Sequence, residues 1–243
     1  MDATHPKIDE SSVKKFFIDR AKKIGEITET QAVLYQDKMV GLADLRDMAE
    51  KNLLLPKLNL ESGDRFFDIG CGTGRWAKIV TPRVHYYHGT DLTEDFINYA
   101  RDNLSSTNVK FSCIPCTEIT LDAINEAVKF NKIICFGVVM YINDNDVNKL
   151  LNGILNIADS AAKFLLREPI GIKERLTLKE HFSEDMDQFY SAIYRTEDEL
   201  ISMCETVLNP AGFKLIEHKD VFTENALNNR KETKQKYFLF ERR

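Results

Sequence analysis

The sequence predicts an α/β fold, a doubly wound parallel sheet behind an N-terminal helical cap. Three observations carry this. From Asp64 onward, apolar strand-like runs alternate with helix-like segments. The first run, Phe66-Phe67-Asp68-Ile69, leads straight into a glycine-rich turn, Gly70-Cys71-Gly72-Thr73-Gly74. The next run, His85-Tyr86-Tyr87-His88-Gly89-Thr90, is closed by a second carboxylate, Asp91, 23 positions after Asp68.

Residues 1–60 read as the cap. Val13, Phe16, Phe17 and Ala21 give one helical apolar stripe, and Leu42, Leu45, Met48, Leu53 and Leu55 give another. Between them lies the short patch Ala32-Val33-Leu34-Tyr35, ending in Gln36-Asp37. Strands are predicted at 65–69, 85–90, 109–114, 132–138 and 163–168, with helices at 74–80, 94–103, 121–129 and 145–158. Thr93 is placed to cap the second of these helices, with Glu94 and Asp95 in its first turn. After the fifth strand comes an insertion at about 172–195, in which Phe182, Met186, Phe189 and Ile193 fall on one helical stripe with Ser183 as N-cap. Thr196-Glu197-Asp198-Glu199 is a capping box opening a further helix, which stops near Asn209-Pro210. Two strands near 213–221 and 235–241 follow closely enough to form an antiparallel pair.

The turn narrows the cofactor. A dinucleotide turn reads G-x-G-x-x-G, but its last place holds Arg75; a P-loop needs Lys and Ser/Thr where Arg75-Trp76 stand. Asp68 would repel a pyrophosphate, at a cost that grows as water is excluded. S-adenosylmethionine has no phosphate, and its ammonium and sulfonium both favour a carboxylate. Asp91, at the tip of the second strand, is positioned for the ribose hydroxyls.

Composition fits a soluble enzyme: 243 residues, 43% hydrophobic, formal net charge −5. No apolar run reaches the ~20 residues of a membrane span. The acidic balance argues against a broad nucleic-acid surface. Five cysteines with no export signal predict reduced thiols in the cytoplasm. Cys113-x-x-Cys116 lacks a second pair or ordered His partners, so no metal is expected. The sequence leaves monomer or homodimer open.

The stretch from Phe66 to Trp76, with Asp91, resembles the first motifs of the class I S-adenosylmethionine-dependent methyltransferases. The resemblance extends from about Asp64 to Arg243 and implies a seven-stranded sheet in order 3-2-1-4-5-7-6, within a domain spanning 61–243. It also implies the roles of residues beyond each strand. Asp68, Gly70 and Gly72 are expected at the amino-acid part of the cofactor, and Asp91 and Leu92 at the ribose. Thr117 is expected near adenine, with Trp76, Phe136 and Gly137 completing the wall. Tyr35 and Arg46 of the cap are candidates for the cofactor carboxylate. The wording around Arg167-Glu168-Pro169 and Tyr190-Ser191-Ala192-Ile193-Tyr194-Arg195 resembles bacterial methyltransferases of sugar, surface-glycan and secondary-metabolite pathways.

The expected function is therefore O- or N-methylation of a small molecule, with Tyr141, Arg167, Tyr190, Tyr194 and Arg195 on the acceptor. Glu168 and His181 are the candidates for a general base. Two alternatives stand beside this: an RNA or protein methyltransferase, and a non-catalytic cofactor-binding module. The fourth strand ends without the Asn/Asp-Pro-Pro-aromatic motif that grips a nucleic-acid base, which weighs against RNA.

Overall fold

The computed structural model describes residues 5–35, 38–224, 227–228 and 230–243, so Gln36 and Asp37 of the predicted patch lie outside the described residues. Three helices come first: α1 (Glu10–Lys22), α2 (Glu29–Leu34) and α3 (Leu42–Leu58). Next come β1 (Arg65–Ile69), α4 (Ala77–Val80), β2 (Tyr86–Asp91), α5 (Glu94–Asn103), β3 (Val109–Cys113), β4 (Phe130–Phe136), α6 (Asp144–Ile157) and β5 (Ala158–Gly171). The chain ends with β6 (Leu176–Ser183), β7 (Gln188–Tyr194), α7 (Glu197–Leu208), β8 (Lys214–Asp220) and β9 (Thr233–Arg242).

The main sheet runs β3-β2-β1-β4-β5-β9-β8, and only β9 is antiparallel to its neighbours. This is the predicted order, with β8 and β9 as the sixth and seventh sheet strands. Strand β1 lies between β2 and β4, with Asp68 opposite Gly89 and Ile134. Its residues 66–69 are buried, as a central strand covered on both faces requires. One core packs Phe67, Ile133 and Leu166 against α6 and α7; the other packs Phe66, Ile134 and Leu165 on the opposite face. The Thr196 capping box forms as predicted, satisfying two otherwise orphan N–H groups of α7.

Several local expectations fail for identifiable reasons. Helix α3 does not bury its apolar stripe: Leu45 and Met48 are both 54% exposed. It buries the i, i+4 row Arg46, Glu50, Leu54 and Leu58 instead. Segment 121–129 is a series of turns, because Glu126 turns inward to Tyr86, His88 and Arg65. Helix 74–80 shrinks to the single turn of α4, continued by a 3₁₀ turn at Thr81–Arg83. Thr93 precedes α5, but its hydroxyl makes no cap; Asp91 accepts the Thr93 N–H instead.

The largest departure is the insertion. Residues 182–193 do not form a helix; β6 and β7 form a separate antiparallel hairpin. Phe182 and Phe189 pair across it on the exposed face, ring centroids 5.1 Å apart. From Tyr190 to Tyr194 every residue of β7 is buried, with Tyr190 and Tyr194 lining the cavity. Ser183 therefore caps no helix; its hydroxyl accepts the Met186 N–H within the turn.

The hairpin and the cap share a third core. Ile8, Val13 and Phe16 pack there with Met140, Tyr141, Met186, Tyr190 and Tyr194. Polar ties reinforce it: Gln188 donates to the Phe16 carbonyl (3.1 Å), and Lys23 to the Met186 carbonyl (3.0 Å). Asn143 exchanges two hydrogen bonds with the Ile8 backbone, 3.0 and 3.1 Å. Two segments distant in sequence thus close together over the strand ends.

Candidate active site

Strand order reverses between β1 and β4, and a crevice opens at their carboxyl ends. Gly70 and Gly72 line it with φ of +73° and +52°, in the region that favours glycine. A Cβ on Gly70 would lie 2.3 Å from Val138, and one on Gly72 2.8 Å from Val33 of α2. The turn is thus held between the loop after β4 and the cap. Asp91 accepts the Gly72 N–H (3.0 Å) on one oxygen and the Thr93 N–H (2.8 Å) on the other. Each oxygen keeps a second lone pair for a ligand. Asp68 is 3% exposed and accepts from the Tyr87 hydroxyl at 2.6 Å. Burial pushes its carboxyl up to about 7.

Behind this floor sits a charged hub that the sequence did not disclose. Glu50 of α3 accepts from Arg75 (2.6 Å) and the Trp76 indole (3.2 Å) on one oxygen and pairs with Arg167 (2.6 Å) on the other. Burial pushes its carboxyl up, but Arg167 and Arg75 outweigh this and hold it below its ordinary value. Asp47 also pairs with Arg75 at 2.6 Å. Arg46 is different. The residue is 5% exposed; among the described residues its guanidinium hydrogen-bonds the Leu34 carbonyl at 3.3 Å, lies over the Phe222 ring, and keeps a buried Nε with no hydrogen-bond partner. Burial and the nearby Arg167 bring its pKa down to about 10.

Two predicted site residues act on the backbone rather than on the cavity. Glu168 accepts from the N–H groups of Val138, Val139 and Met140 at 2.8, 2.9 and 3.2 Å. Burial raises its carboxyl to about 7, yet the side chain does not line the crevice. Arg195 donates to the Val139 and Ile142 carbonyls at 2.8 and 2.9 Å and pairs with Asp144. Together they clamp the loop that carries Gly137, Met140 and Tyr141. The expected general base and acceptor ligand are therefore loop supports by position.

Tyr35, Tyr141, Tyr190 and Tyr194 wall the outer chamber, with Phe17 and Met186. The Tyr35 and Tyr141 hydroxyls hydrogen-bond to each other. Burial pushes Tyr35 up to about 12, and Tyr141 and Tyr194 well above their ordinary value. At neutral pH these hydroxyls therefore orient and donate. One continuous cavity joins this chamber to the glycine turn.

Of the predicted site residues, Tyr35, Arg46, Asp68, Gly70, Gly72, Trp76, Asp91, Leu92, Phe136, Gly137, Tyr141, Arg167, Tyr190 and Tyr194 line that cavity. Thr117, Glu168, His181 and Arg195 do not. Thr117 lies in a 3₁₀ turn whose cavity-facing member is Cys116, with Ile114 before it. His181 is exposed on β6, its ring edge-on to Tyr190 at 5.6 Å. Sequence reasoning missed Asp185, Arg230 and Gln235, which also line the cavity. They sit in a hairpin turn and before or within β9, where no local motif marks them. Among the described residues no cluster of His, Cys, Asp or Glu could hold a metal ion.

S-adenosylmethionine presents an ammonium, a carboxylate, a sulfonium and ribose hydroxyls. The buried Asp68 carboxylate, the unpartnered Arg46 Nε and the Asp91 lone pairs match those groups in sign and hydrogen-bonding sense.

Comparison with known proteins agrees. Residues 66–159 match the family described as a methyltransferase domain. A malonyl-[acyl-carrier protein] O-methyltransferase of Acetivibrio thermocellus is 33% identical over 109 residues, covering 42% of this chain and 37% of that protein. Among solved structures, phosphoethanolamine N-methyltransferase 1 of Haemonchus contortus, in complex with phosphoethanolamine and S-adenosylhomocysteine, superposes with a TM-score of 0.75 at 16% identity. That match covers 96% of this chain and 48% of the other. Magnesium protoporphyrin IX methyltransferase of Synechocystis PCC 6803, with bound cofactor, gives 0.61 at 16% identity and covers both chains fully. The chain thus spans about half or less of the first two proteins it matches. Residues 66–159 thus match a methyltransferase domain, and the sheet shares the fold of solved S-adenosylmethionine-dependent methyltransferases.

Proposed function

We propose that this class I S-adenosylmethionine-dependent methyltransferase domain methylates an oxygen or nitrogen of a small molecule, a sugar, glycan or natural-product intermediate. The observation that carries the proposal is the single cavity, acid-floored at the glycine turn and tyrosine-walled beyond it. The cap and the hairpin meet over that chamber, an arrangement that suits an engulfed small acceptor better than a polymer lying across the surface. The relatives named above, a malonyl-carrier O-methyltransferase and a phosphoethanolamine N-methyltransferase, span both transfer types.

The cofactor, when bound, supplies a methyl group on a positively charged sulfur. The chain's own residues do the rest. Asp68 attracts the ammonium, Arg46 the carboxylate, and Asp91 orients the ribose. The Glu168 and Arg195 clamps hold the loop bearing Tyr141, so the chamber wall is fixed before the acceptor arrives. Phe17, Met140 and Met186 exclude water. Alignment of acceptor and methyl then supplies much of the rate. Burial makes Tyr35, Tyr141 and Tyr194 hold their protons too tightly to serve as bases, so an acceptor that arrives as a free amine, or is already acidic, suits the site.

Calorimetry should detect S-adenosylmethionine and S-adenosylhomocysteine but neither NAD nor ATP. Labelled methyl transfer across sugar, glycoside and natural-product acceptors should then give turnover. Cofactor binding with no transfer to any small acceptor, but with transfer to RNA or a protein, would overturn the proposal.

A further inference from the structure

We infer that the acceptor end of the cavity is an anion site, in which Arg230 and the Tyr190 hydroxyl grip a carboxylate or phosphate borne by the acceptor. This rests on the small-molecule reading of the chamber and goes beyond it by naming the acceptor's charge.

The argument begins with the arginines that line the cavity: Arg46, Arg75, Arg167 and Arg230. Arg75 is neutralised by Asp47 and Glu50, and Arg167 by Glu50. Arg46 faces the cofactor half, where a carboxylate is due. Arg230 stands apart from that group, against the hairpin. Its Nη1 donates to the Tyr190 hydroxyl (3.2 Å) and to His181 Nε2 (3.4 Å). Its Nε is buried with no hydrogen-bond partner. That same Nε lies 3.6 Å from the Glu232 carboxylate, too long for a hydrogen bond; the Arg230 and Glu232 side chains are 24% and 60% exposed, so water and salt screen the pair. Asp185, the carboxylate on this wall, is half-exposed and makes no ion pair with Arg230 within 4 Å.

Among the described residues, the carboxylate that meets the part-buried Arg230 charge is thus a solvent-screened one, held beyond hydrogen-bonding distance. An acceptor anion in the cavity gives that charge a closer, hydrogen-bonded partner. The planar fork of Arg230 presents parallel N–H groups to two oxygens, the geometry carboxylates and phosphates accept. Tyr190 adds a hydroxyl donor, and Thr233 and Gln235 of β9 line the same wall. The aromatic surfaces of Tyr190 and Tyr194 then hold the acceptor's carbon frame.

The test uses the full chain saturated with S-adenosylhomocysteine, titrated with phenyl phosphate, benzoate and the neutral analogue benzyl alcohol. At least one anion should bind while benzyl alcohol binds far more weakly; the tighter of the two anions identifies the phosphate or carboxylate class. Arg230→Gln should weaken anion binding by about 10- to 100-fold, and Arg230→Lys should recover part of it. Cofactor-product affinity should be unchanged in both variants, showing the fold intact. Equal binding of benzyl alcohol, or anion binding indifferent to Arg230→Gln, overturns the inference, as does no anion binding at ~10 mM. Failure of S-adenosylhomocysteine to bind would instead remove the methyl-transfer reading, and the anion titrations would still be read on their own.

Discussion

The two halves of the cavity are built in opposite ways. The cofactor half rests on consecutive strand ends: β1 delivers Asp68, the turn delivers Gly70 and Gly72, and β2 delivers Asp91 within 23 positions. The acceptor half is gathered from α1, Tyr35, the β6–β7 hairpin and the approach to β9, segments that lie far apart in the chain. A floor made by local geometry can be written in a motif. A chamber made by long-range packing cannot, and its specificity is free to change with each inserted segment.

The hub around Glu50 joins the halves, so it is where the comparison breaks most severely. Glu50→Ala leaves Arg75 and Arg167 buried without their shared carboxylate. Breaking a buried ion pair in this way costs about 3–5 kcal/mol, read as a lower midpoint in chemical denaturation. Loss of stability below ~1 kcal/mol would mean that the arginines reach water and that the hub does not unite the halves.

Changes at Asp68 should touch one half alone. Asp68→Ala should weaken cofactor binding by about 1–3 kcal/mol, and Asp91→Ala similarly. The pH dependence sharpens this. Burial raises the Asp68 carboxyl to about 7 in the cofactor-free protein, so below that pH it is protonated and neutral. A cationic ligand favours the ionised form; cofactor affinity should therefore fall as pH drops below about 7 and level off above it. Asp68→Asn should flatten the profile. Calorimetry in buffers of different ionisation enthalpy should also show a proton released on binding near neutrality. A wild-type affinity independent of pH between 6 and 8 would exclude the carboxylate from the ammonium's pocket.

The smallest effects belong to the chamber hydroxyls. Tyr190→Phe and Tyr194→Phe remove one donor each while keeping the aromatic wall, and each should lower acceptor turnover with cofactor affinity unchanged. A neutral hydrogen bond of this kind amounts to about 0.5–1.5 kcal/mol. An equal loss of cofactor affinity would show that the two halves are one site energetically. The comparison would then need redrawing.

Much of the sheet was legible because buried parallel strands write near-continuous apolar runs and glycine marks the turn. The order of strands followed from the resemblance carried by that turn, and the capping box at Thr196 formed as written. The insertion was misread because Phe182, Met186, Phe189 and Ile193 satisfy a helical period while Tyr190, Ala192 and Tyr194 satisfy a strand period. Over so short a segment, the partner surface arbitrates. Here the partners were α1 and the loop after β4. The α3 stripe failed for a related reason: Glu50 was buried by charges brought from α4's approach and β5, and Arg46 by the cap's Leu34 carbonyl, which no local pattern announces.

The sequence by itself determined the acidic glycine turn, the second strand-tip carboxylate and the sheet they imply. These depend on backbone conformation and on neighbours a few residues away. The tertiary structure alone decided that Glu168 and Arg195 support a loop rather than face the cavity. It also joined the cap to a hairpin as the chamber roof and set Arg230 beside Tyr190 at the cavity wall. A side chain's role in that chamber depends on which distant groups satisfy its charge and hydrogen bonds, and only folding brings those groups together.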